Sequence, residues 1–404
     1  MAITSRALFP AIKATLADQR IVVITGMRRV GKTTTLRWLL EQSPTQNKIY
    51  LDLERLDQRA VFQESNYDNV LNFLRSRGLN PAQPMIVALD EIQYVPNLPS
   101  VVKYLYDHYG IKFLLTGSSS YYLKHLFTES LAGRKIVFEM YPLCFGEFLD
   151  FRGVAHQRAS EQTEAANLTT MRYVPYEYAR LKSYYDEYMQ YGGMPDVVLE
   201  SKASIRTEIL KDVMNSYINI DVRAISDLRK IGELQQLLKV LAMRIGNKLD
   251  ATKLSQIIGI SRPTLAEYLD LLEKTYVIYR LPAYSSPDKA VALGKKLYFC
   301  DNGIANTFVA NPGEGALFEN AVHNQLRTYG ELAYLAKGND YEVDFVLTRP
   351  GQQPVGLEVK YHPVAADAAK LKRIGAKHEL AETWLVGCHP TPGFDEFLWG
   401  GLII

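Results

Sequence analysis

The chain has 404 residues, of which 47% are apolar and 22% are charged, and its net charge is +2. This length predicts roughly two to four domains, and the near-neutral charge means that any nucleic-acid-binding surface must be local. The three cysteines, Cys144, Cys300 and Cys388, form no CxxC pair, which argues against a disulfide scaffold and a cysteine-ligated zinc site. No run approaches the ~20 apolar residues of a membrane span, so we expect a cytoplasmic protein without a membrane partner.

Short apolar runs alternate with helical patterns over the first third of the chain. The runs lie at residues 21–25, 48–51, 85–89, 113–116 and 136–138, and a helix is predicted from Thr33 to Leu40. Short buried strands separated by helices are typical of a parallel, doubly wound sheet. We therefore predict an α/β domain over residues 1–155.

The first of these runs leads into a turn with the spacing GxxxxGK[ST], the pattern of a phosphate-binding P-loop. Its residues are Gly26, Met27, Arg28, Arg29, Val30, Gly31, Lys32 and Thr33, and Thr34 follows in the same helical turn. Glycines let backbone N–H groups face phosphates, and the helix N-terminus adds partial positive charge. We expect Lys32 to reach the β- and γ-phosphates of ATP and Thr33 to bind Mg²⁺. A chance match in an ordinary turn does not account for the strand before the loop and the helix after it.

A second motif follows the apolar run at 85–89, which delivers Asp90 and Glu91 to the carboxyl end of a central strand. Asp90 is expected to hold the Mg²⁺ shell, and Glu91 is placed to polarise the attacking water. An Asp-Glu pair that merely ends a buried strand is the plainer interpretation. The P-loop upstream favours hydrolysis over binding alone.

Two further features belong to the same expected site. Thr116 ends the run at 113–116, and Ser118 follows two residues later. One of these hydroxyl side chains is a candidate sensor of the γ-phosphate. The alternative is an ordinary strand-to-loop cap. Arg134 is a candidate source of positive charge for the transition state, in its own subunit or in a neighbouring one. A plain surface arginine is the alternative for Arg134.

The middle of the chain predicts three amphipathic helices and a short strand, which is a winged helix-turn-helix layout. The helices cover residues 234–243, 252–258 and 261–274, and the β-rich stretch covers 276–281. In the third helix, Glu267, Asp270 and Glu273 offset Arg262 and Lys274. Carboxylates that face a groove repel phosphates. The layout is therefore either a DNA-binding element or a structural joint that passes the nucleotide state to the C-terminal region.

Several motifs in combination resemble those of the STAND-related group of bacterial and archaeal AAA-type ATPases. They are GMRRVGKTT, LDEIQ, LLTGSSS, LAGRK followed by YPLCFGEFL, and YGGMPDVV, and the resemblance spans nearly the whole chain. It implies an ATPase core, a winged-helix middle and a C-terminal module related to the PD-(D/E)xK nucleases.

The C-terminal third contains a second candidate site. Period-two alternation places Glu342 and Asp344 on one face of a strand at 341–348, and Glu358 and Lys360 on one face of a strand at 355–361. Asp344, Glu358 and Lys360 converge if the strands pair with these faces aligned, and Glu319 on the preceding helix can complete a shell for Mg²⁺ or Mn²⁺. A helix Glu, an Asp and an ExK resemble the nuclease pattern. The alternative is a solvated hairpin face.

We therefore predict a P-loop ATPase core (1–155), a helical extension (156–230), a winged helix-turn-helix (231–284) and a nuclease-like α/β domain (285–404). The leading hypothesis is a Mg²⁺-dependent ATPase that processes DNA, with Lys360 in a metal-dependent nuclease site. The alternative is a nucleotide-operated regulatory switch whose C-terminal domain binds without cleaving. A homo-oligomer, either a ring or a dimer, is expected if Arg134 acts across an interface. Candidate basic clusters for a DNA backbone are Arg28-Arg29, Arg229-Lys230, Lys295-Lys296 and Lys370/Lys372/Arg373.

Overall fold

A computed structural model describes residues 3–118, 131, 133–156, 172–222, 231–286, 288, 290, 293–310, 312–338 and 340–403. The chain forms two compact units, Met1–Tyr141 with Lys274–Tyr276, and Pro142–Glu273 with Val277–Ile404. Within the described ranges, no helix combines the length and the apolar character needed to cross a membrane. Residues 157–171 and 223–230 of the predicted helical extension, with the Arg229-Lys230 cluster, lie outside the described residues.

The first unit contains the predicted parallel sheet, and all five strands are found within two residues of their predicted ends. The strands are Ile21–Thr25 (β1), Lys48–Asp52 (β2), Ile86–Asp90 (β3), Lys112–Gly117 (β4) and Lys135–Glu139 (β5). Their order is β2-β3-β4-β1-β5, and every pair is parallel. Strands β1, β3 and β4 are buried throughout, because continuous apolar runs suit the interior of a sheet covered on both faces.

Helices flank this sheet. They are Phe9–Ala14 (α1), Lys32–Gln42 (α2), Leu56–Phe62 (α3), Asp68–Ser76 (α4) and Leu98–Tyr109 (α5). Helix α5 has proline in its first turn and ends at Gly110 in the left-handed conformation, which is the usual distribution of these two residues. The order of strands and helices brings the carboxyl ends of β1, β3 and β4 to the same edge of the sheet, where the P-loop lies.

The second unit begins earlier than the predicted domain boundary at residue 155. Helix α6 (Phe145–Phe151) packs on α7 (Pro175–Tyr191): the ring centroid of Phe145 lies 4.9 Å from that of Tyr185 and 5.5 Å from that of Tyr188. These aromatic contacts assign residues 142–155 to the second unit. Helices α8 (Pro195–Leu199) and α9 (Ala203–Ser216) follow, and a π-helical segment, Tyr217–Val222, continues α9.

Three helices and a hairpin follow in the second unit. The elements are Ile231–Ala242 (α10), Ala251–Ile258 (α11), Arg262–Lys274 (α12), Ile278–Leu281 (β6) and Lys296–Phe299 (β7). Asp250 caps α11 by accepting from the backbone amides of Thr252 and Lys253, and the Ser261 hydroxyl accepts from the Thr264 amide at the start of α12. Strands β6 and β7 pair antiparallel.

A second five-stranded sheet forms the C-terminal part. Its elements are Asn302–Asn306 (α13), Glu314–Leu326 (α14), Glu331–Lys337 (β8), Tyr341–Thr348 (β9), Val355–Lys360 (β10), Ala365–Lys377 (α15), Glu382–Gly387 (β11) and Leu398–Trp399 (β12). The order is β12-β11-β10-β9-β8. Strands β8, β9 and β10 form an antiparallel meander, whereas β10 and β11, joined through α15, are parallel. The sheet thus mixes both strand directions, and this places β9 beside β10 as the sequence pattern required.

Candidate functional site

The P-loop connects β1 to α2 and has two glycines in conformations that other residues rarely adopt. Gly26 has a φ of 150° and Gly31 a φ of 99°. A Cβ atom on Gly26 would lie 2.0 Å from the carbonyl oxygen of Met140, so a side chain cannot fit there. This close approach of backbone to backbone explains why glycine is required where the strand turns into the loop.

Lys32 is buried at the start of α2, and its ammonium group lies inside the loop. Its Nζ donates to the carbonyl oxygens of Gly26 at 3.0 Å and Met27 at 2.8 Å. Thr33 follows, half-buried, in the first helical turn. A buried ammonium and a hydroxyl at a helix N-terminus suit a phosphate chain and a hard cation, respectively.

Asp90 ends β3 and is nearly inaccessible to solvent, with 2% of its surface exposed. Its Oδ2 accepts from the Tyr50 hydroxyl at 2.7 Å, and its Oδ1 accepts from the Thr116 hydroxyl on β4. These two donors fix the carboxylate at the carboxyl edge of the sheet, the position expected of a residue that orients a metal ion.

Glu91 lies next to Asp90 with a φ of 54°, an uncommon backbone conformation for this residue type. Its backbone amide donates to the Thr116 hydroxyl at 3.1 Å, and its side chain accepts from the Gln93 amide. Burial raises the pKa of Glu91, while the positive charges of Lys32 and Arg28 oppose that rise. Strained backbone of this kind is concentrated at functional sites.

Thr116 lies at the carboxyl edge of the first sheet, and Arg134 lies at its amino edge. The Thr116 hydroxyl both donates to Asp90 and accepts from Glu91, so this residue positions the acidic pair. Arg134 precedes β5, and its carbonyl accepts from the amide of Ile21 at the amino end of β1. The P-loop begins at the other end of β1, a strand length of roughly 13 Å away. Its guanidinium pairs with Asp107 at 2.9 Å. Arg134 therefore cannot serve the nucleotide site of its own subunit in this arrangement.

Three residues support the site without having been predicted. Arg6, before α1, donates to the carbonyl oxygen of Val30 in the P-loop at 3.0 Å, and Tyr50 on β2 holds Asp90. The third residue, Met140, packs its carbonyl against Gly26. All three contact residues that are distant in sequence. Only Tyr50 could have been suspected from the sequence, because it lies on a predicted strand of the same sheet as Asp90.

The C-terminal candidate residues are brought together on β9, β10 and α14. The register Phe345–Leu357 places Asp344 and Glu358 one step further along the paired strands, and the Val359 amide donates to Asp344 Oδ2 at 2.9 Å. Lys360 Nζ lies 2.6 Å from Glu358 Oε1. Burial and the neighbouring charge of Asp344 raise the pKa values of Glu319 and Glu358.

A residue outside the predicted site occupies its centre. Lys296 on β7 is 2% exposed, and its Nζ lies 2.7 Å from Glu342 Oε1, 3.1 Å from Asp344 Oδ1 and 3.6 Å from Glu319 Oε1. Lys296 therefore does not present its charge to a DNA backbone, as the candidate cluster Lys295-Lys296 required, because its ammonium is buried among carboxylates. No group of three or more His, Cys, Asp or Glu side chains in the described part of the chain is arranged to hold a metal ion.

The chain can be compared with known proteins on this basis. A family model described as an AAA domain matches residues 18–149, and two models of domains of unknown function match residues 182–314 and 314–389. The uncharacterized protein MJ1544 of Methanocaldococcus jannaschii is 30% identical over 345 residues, which cover 83% of this chain and 74% of that protein. This chain belongs to the family of MJ1544.

Other similar proteins share less sequence with this chain. An uncharacterized protein of Haemophilus influenzae is 26% identical over 340 residues, covering 81% of this chain and 79% of that protein. The solved Walker-type ATPase of Pyrococcus abyssi is 15% identical, with coverages of 76% and 96% and a TM-score of 0.44. The AAA match at residues 18–149 and the P-loop geometry identify an AAA-type P-loop ATPase domain, a fold that implies nucleotide binding.

Proposed function

We propose that this protein hydrolyses ATP at the edge of the first sheet. The observation that carries the proposal is the contact of Thr116 with both Asp90 and Glu91, with Lys32 near enough to oppose the rise that burial causes in the pKa of Glu91. Thr33 and Asp90 supply a hydroxyl and a carboxylate, the oxygen donors that Mg²⁺ takes in such sites. Glu91 would orient the attacking water, and Lys32 would bind the phosphates.

Replacement of Glu91 separates binding from hydrolysis and so tests this proposal. Glu91→Gln keeps the side-chain size but removes the carboxylate, and we expect turnover to fall by at least about a hundredfold while ATP binding persists. Lys32→Ala should lose binding itself. Binding is measured with fluorescent ATP and turnover by phosphate release, each with and without duplex DNA. Full turnover in the Glu91→Gln protein would refute the assignment.

We further propose that duplex DNA is the macromolecule on which the ATPase acts. The helices α10, α11 and α12 and the hairpin β6–β7 have the order of a winged helix-turn-helix, which supports this proposal. Helix α12 is a poor partner for phosphates. Its Asp270 and Glu273 carry negative charge, and they neutralise the guanidinium of Arg280 on β6 by pairing with it.

A basic groove beside the first two helices of this layout is a better candidate for the DNA contact. It has a volume of about 750 Å³ and lies beside α10, α11 and the loop between them. Its charged lining residues are Lys239, Arg244, Lys248 and Lys253, and no aspartate or glutamate is among the described residues that line it. Lys239 and Lys253 are exposed. Lys248 is paired with Glu342, so the positive charge that the groove offers to a polyanion comes from Lys239, Arg244 and Lys253. Each phosphate contact contributes to a salt-dependent affinity.

The C-terminal sheet supports a nuclease-like fold, because a helix, a three-strand meander, a helix and a parallel strand follow one another with Asp344 and Glu358 on adjacent strands. The residues as arranged do not fit a divalent cation, since the Lys296 ammonium already contacts Asp344 and Glu319. We therefore propose no cleavage step. This observation favours the second candidate function, a nucleotide-operated switch whose C-terminal domain binds without cutting.

A further inference from the structure

The acidic cluster of the C-terminal sheet is formed by Glu319 on α14 and by Glu342 and Asp344 on β9. The ammonium of Lys296 lies within 3.6 Å of an oxygen of each carboxylate. A buried ammonium requires such partners, because an uncompensated charge cannot remain out of water. The three carboxylates therefore supply the negative charge that the buried Lys296 of β7 needs.

These carboxylates also have other hydrogen-bond and ion-pair partners within the protein. Glu319 Oε1 also accepts from the Tyr298 hydroxyl at 2.7 Å, Asp344 Oδ2 accepts from the Val359 amide, and Glu342 Oε2 pairs with Lys248 at 2.9 Å. The exception is the neighbouring Glu358, whose Oε2 is buried without a hydrogen-bond partner among the described residues. A carboxylate oxygen on β10, the strand paired with β9, thus has no hydrogen-bond partner among these residues.

We propose that Lys296 is the resident cation of this cluster and keeps a divalent metal ion from binding between Asp344, Glu319 and Glu358. The three carboxylates are the hard oxygen ligands that Mg²⁺ and Mn²⁺ prefer, and Mg²⁺ holds such oxygens at about 2.0–2.1 Å. An ammonium group within hydrogen-bond distance of Asp344 occupies the same space and repels a second cation. The site is a latent metal site, and withdrawal of β7 or removal of the Lys296 charge opens it.

The inference rests on the proposed function only for the nuclease-like fold of the C-terminal sheet. Its test therefore reads Mn²⁺ binding to the full chain without nucleotide or DNA, so that failure leaves the ATPase proposal untouched. All proteins carry Asp90→Asn to remove a metal ligand at the P-loop. Free Mn²⁺ is measured by electron paramagnetic resonance for the parent, for Lys296→Met and for the matched control Lys295→Met, whose lysine is the exposed neighbour.

We expect no Asp344-dependent Mn²⁺ site in the parent or in Lys295→Met, and one site in Lys296→Met that disappears when Asp344→Asn is added. Mn²⁺ should also raise the thermal unfolding midpoint of Lys296→Met alone, because a ligand that binds only the folded state stabilises it. If Lys296→Met does not fold, Lys296→Gln keeps a hydrogen-bond donor and replaces it in the same comparison.

Two outcomes would overturn the proposal. One is an Asp344-dependent Mn²⁺ site in the parent, a result that needs no Lys296 variant. The other is a folded Lys296→Met or Lys296→Gln protein that binds no Mn²⁺, which would mean that the carboxylates cannot hold a metal ion whatever lies between them. DNA cleavage is scored separately: Mn²⁺ binding without cleavage supports the latent site and removes nuclease activity from consideration.

Discussion

Thr116 is the residue through which β4 organises the nucleotide site. Its hydroxyl is fully buried, donates to Asp90 and accepts from the Glu91 amide. A hydroxyl has one proton to donate and two lone pairs, so these two bonds use its donor and one acceptor site. Loss of the hydroxyl would remove the hydrogen bond to Asp90 Oδ1 and the acceptor of the Glu91 backbone amide.

Thr116→Val tests this role because valine has the same shape without the hydroxyl. Buried groups left unpaired cost about 1–3 kcal/mol, which corresponds to roughly a ten- to hundredfold loss of turnover if the acidic pair is displaced. ATP affinity should change little, since Lys32 and the P-loop are unaltered. Steady-state ATP hydrolysis gives kcat and KM separately. Thr207→Val, at an exposed threonine of α9, is the control, and equal kcat values in the two variants would contradict the role.

The residues of the P-loop and the acidic pair could be predicted because their spacing is local and each follows an apolar run. Their supports could not be predicted in the same way. Arg6 and Tyr50 reach their partners across 24 and 40 positions of sequence, and only the folding of the sheet and its flanking segments brings them close. The position of Arg134 could not be predicted for the same reason. It lies at the amino edge of the sheet because its carbonyl pairs with Ile21, the first residue of β1.

At the scale of elements, Asp301 joins the start of α13 to the turn between α7 and α8. Its carboxylate accepts from the amides of Gly193 at 2.6 Å and Ile304 at 3.0 Å. Burial raises the pKa of Asp301 to about 6, from an ordinary value of 3.8, although the backbone amides of Gly193 and Ile304 oppose the rise. The folded protein therefore holds this proton more tightly than the unfolded chain does.

This pKa predicts the sign of a pH effect on stability. Because the folded pKa is higher than the unfolded one, the stability that Asp301 contributes is fully present below about pH 4 and is lost as pH rises to about 6, by about 3 kcal/mol in total. Asp301→Asn does not titrate, so its free energy of unfolding should lack this fall. Urea unfolding at about pH 4 and about pH 7 measures the difference from the parent. Exposed Asp340→Asn is the control; an identical pH dependence in Asp301→Asn and the parent would contradict the prediction.

The elements themselves were largely predictable, and their junctions were not. Apolar runs located the strands of the first sheet, and the pattern Ser261, Leu265, Leu269 and Leu272 located α12, whose leucines are buried. The sequence places Lys296 in a candidate DNA-binding cluster because it follows Lys295, and nothing in the neighbouring sequence indicates that its ammonium contacts the carboxylates of β9. The alternation along β9 and β10 did predict the faces of Asp344 and Glu358.

At the scale of the whole molecule, the chain combines an AAA-type P-loop ATPase domain with a second unit that contains the three-helix and hairpin layout and the C-terminal sheet. The net charge of +2 hides the local basic groove beside α10 and α11. Overall composition therefore could not identify this groove. Its lysines come together only when the two helices pack.

The most direct test of the central claim is ATP hydrolysis as a function of duplex DNA and salt concentration. The parent is compared with Lys239→Gln/Lys253→Gln in the basic groove and with Lys202→Gln/Lys211→Gln, which makes the same change of charge at two exposed lysines, one at the start of α9 and one within it. We expect DNA to stimulate the parent and the α9 control variant, while the groove variant keeps its DNA-free rate but loses stimulation and about two units of the salt slope of DNA binding. Turnover that no DNA alters in the parent, or stimulation that survives in the groove variant, would contradict the account.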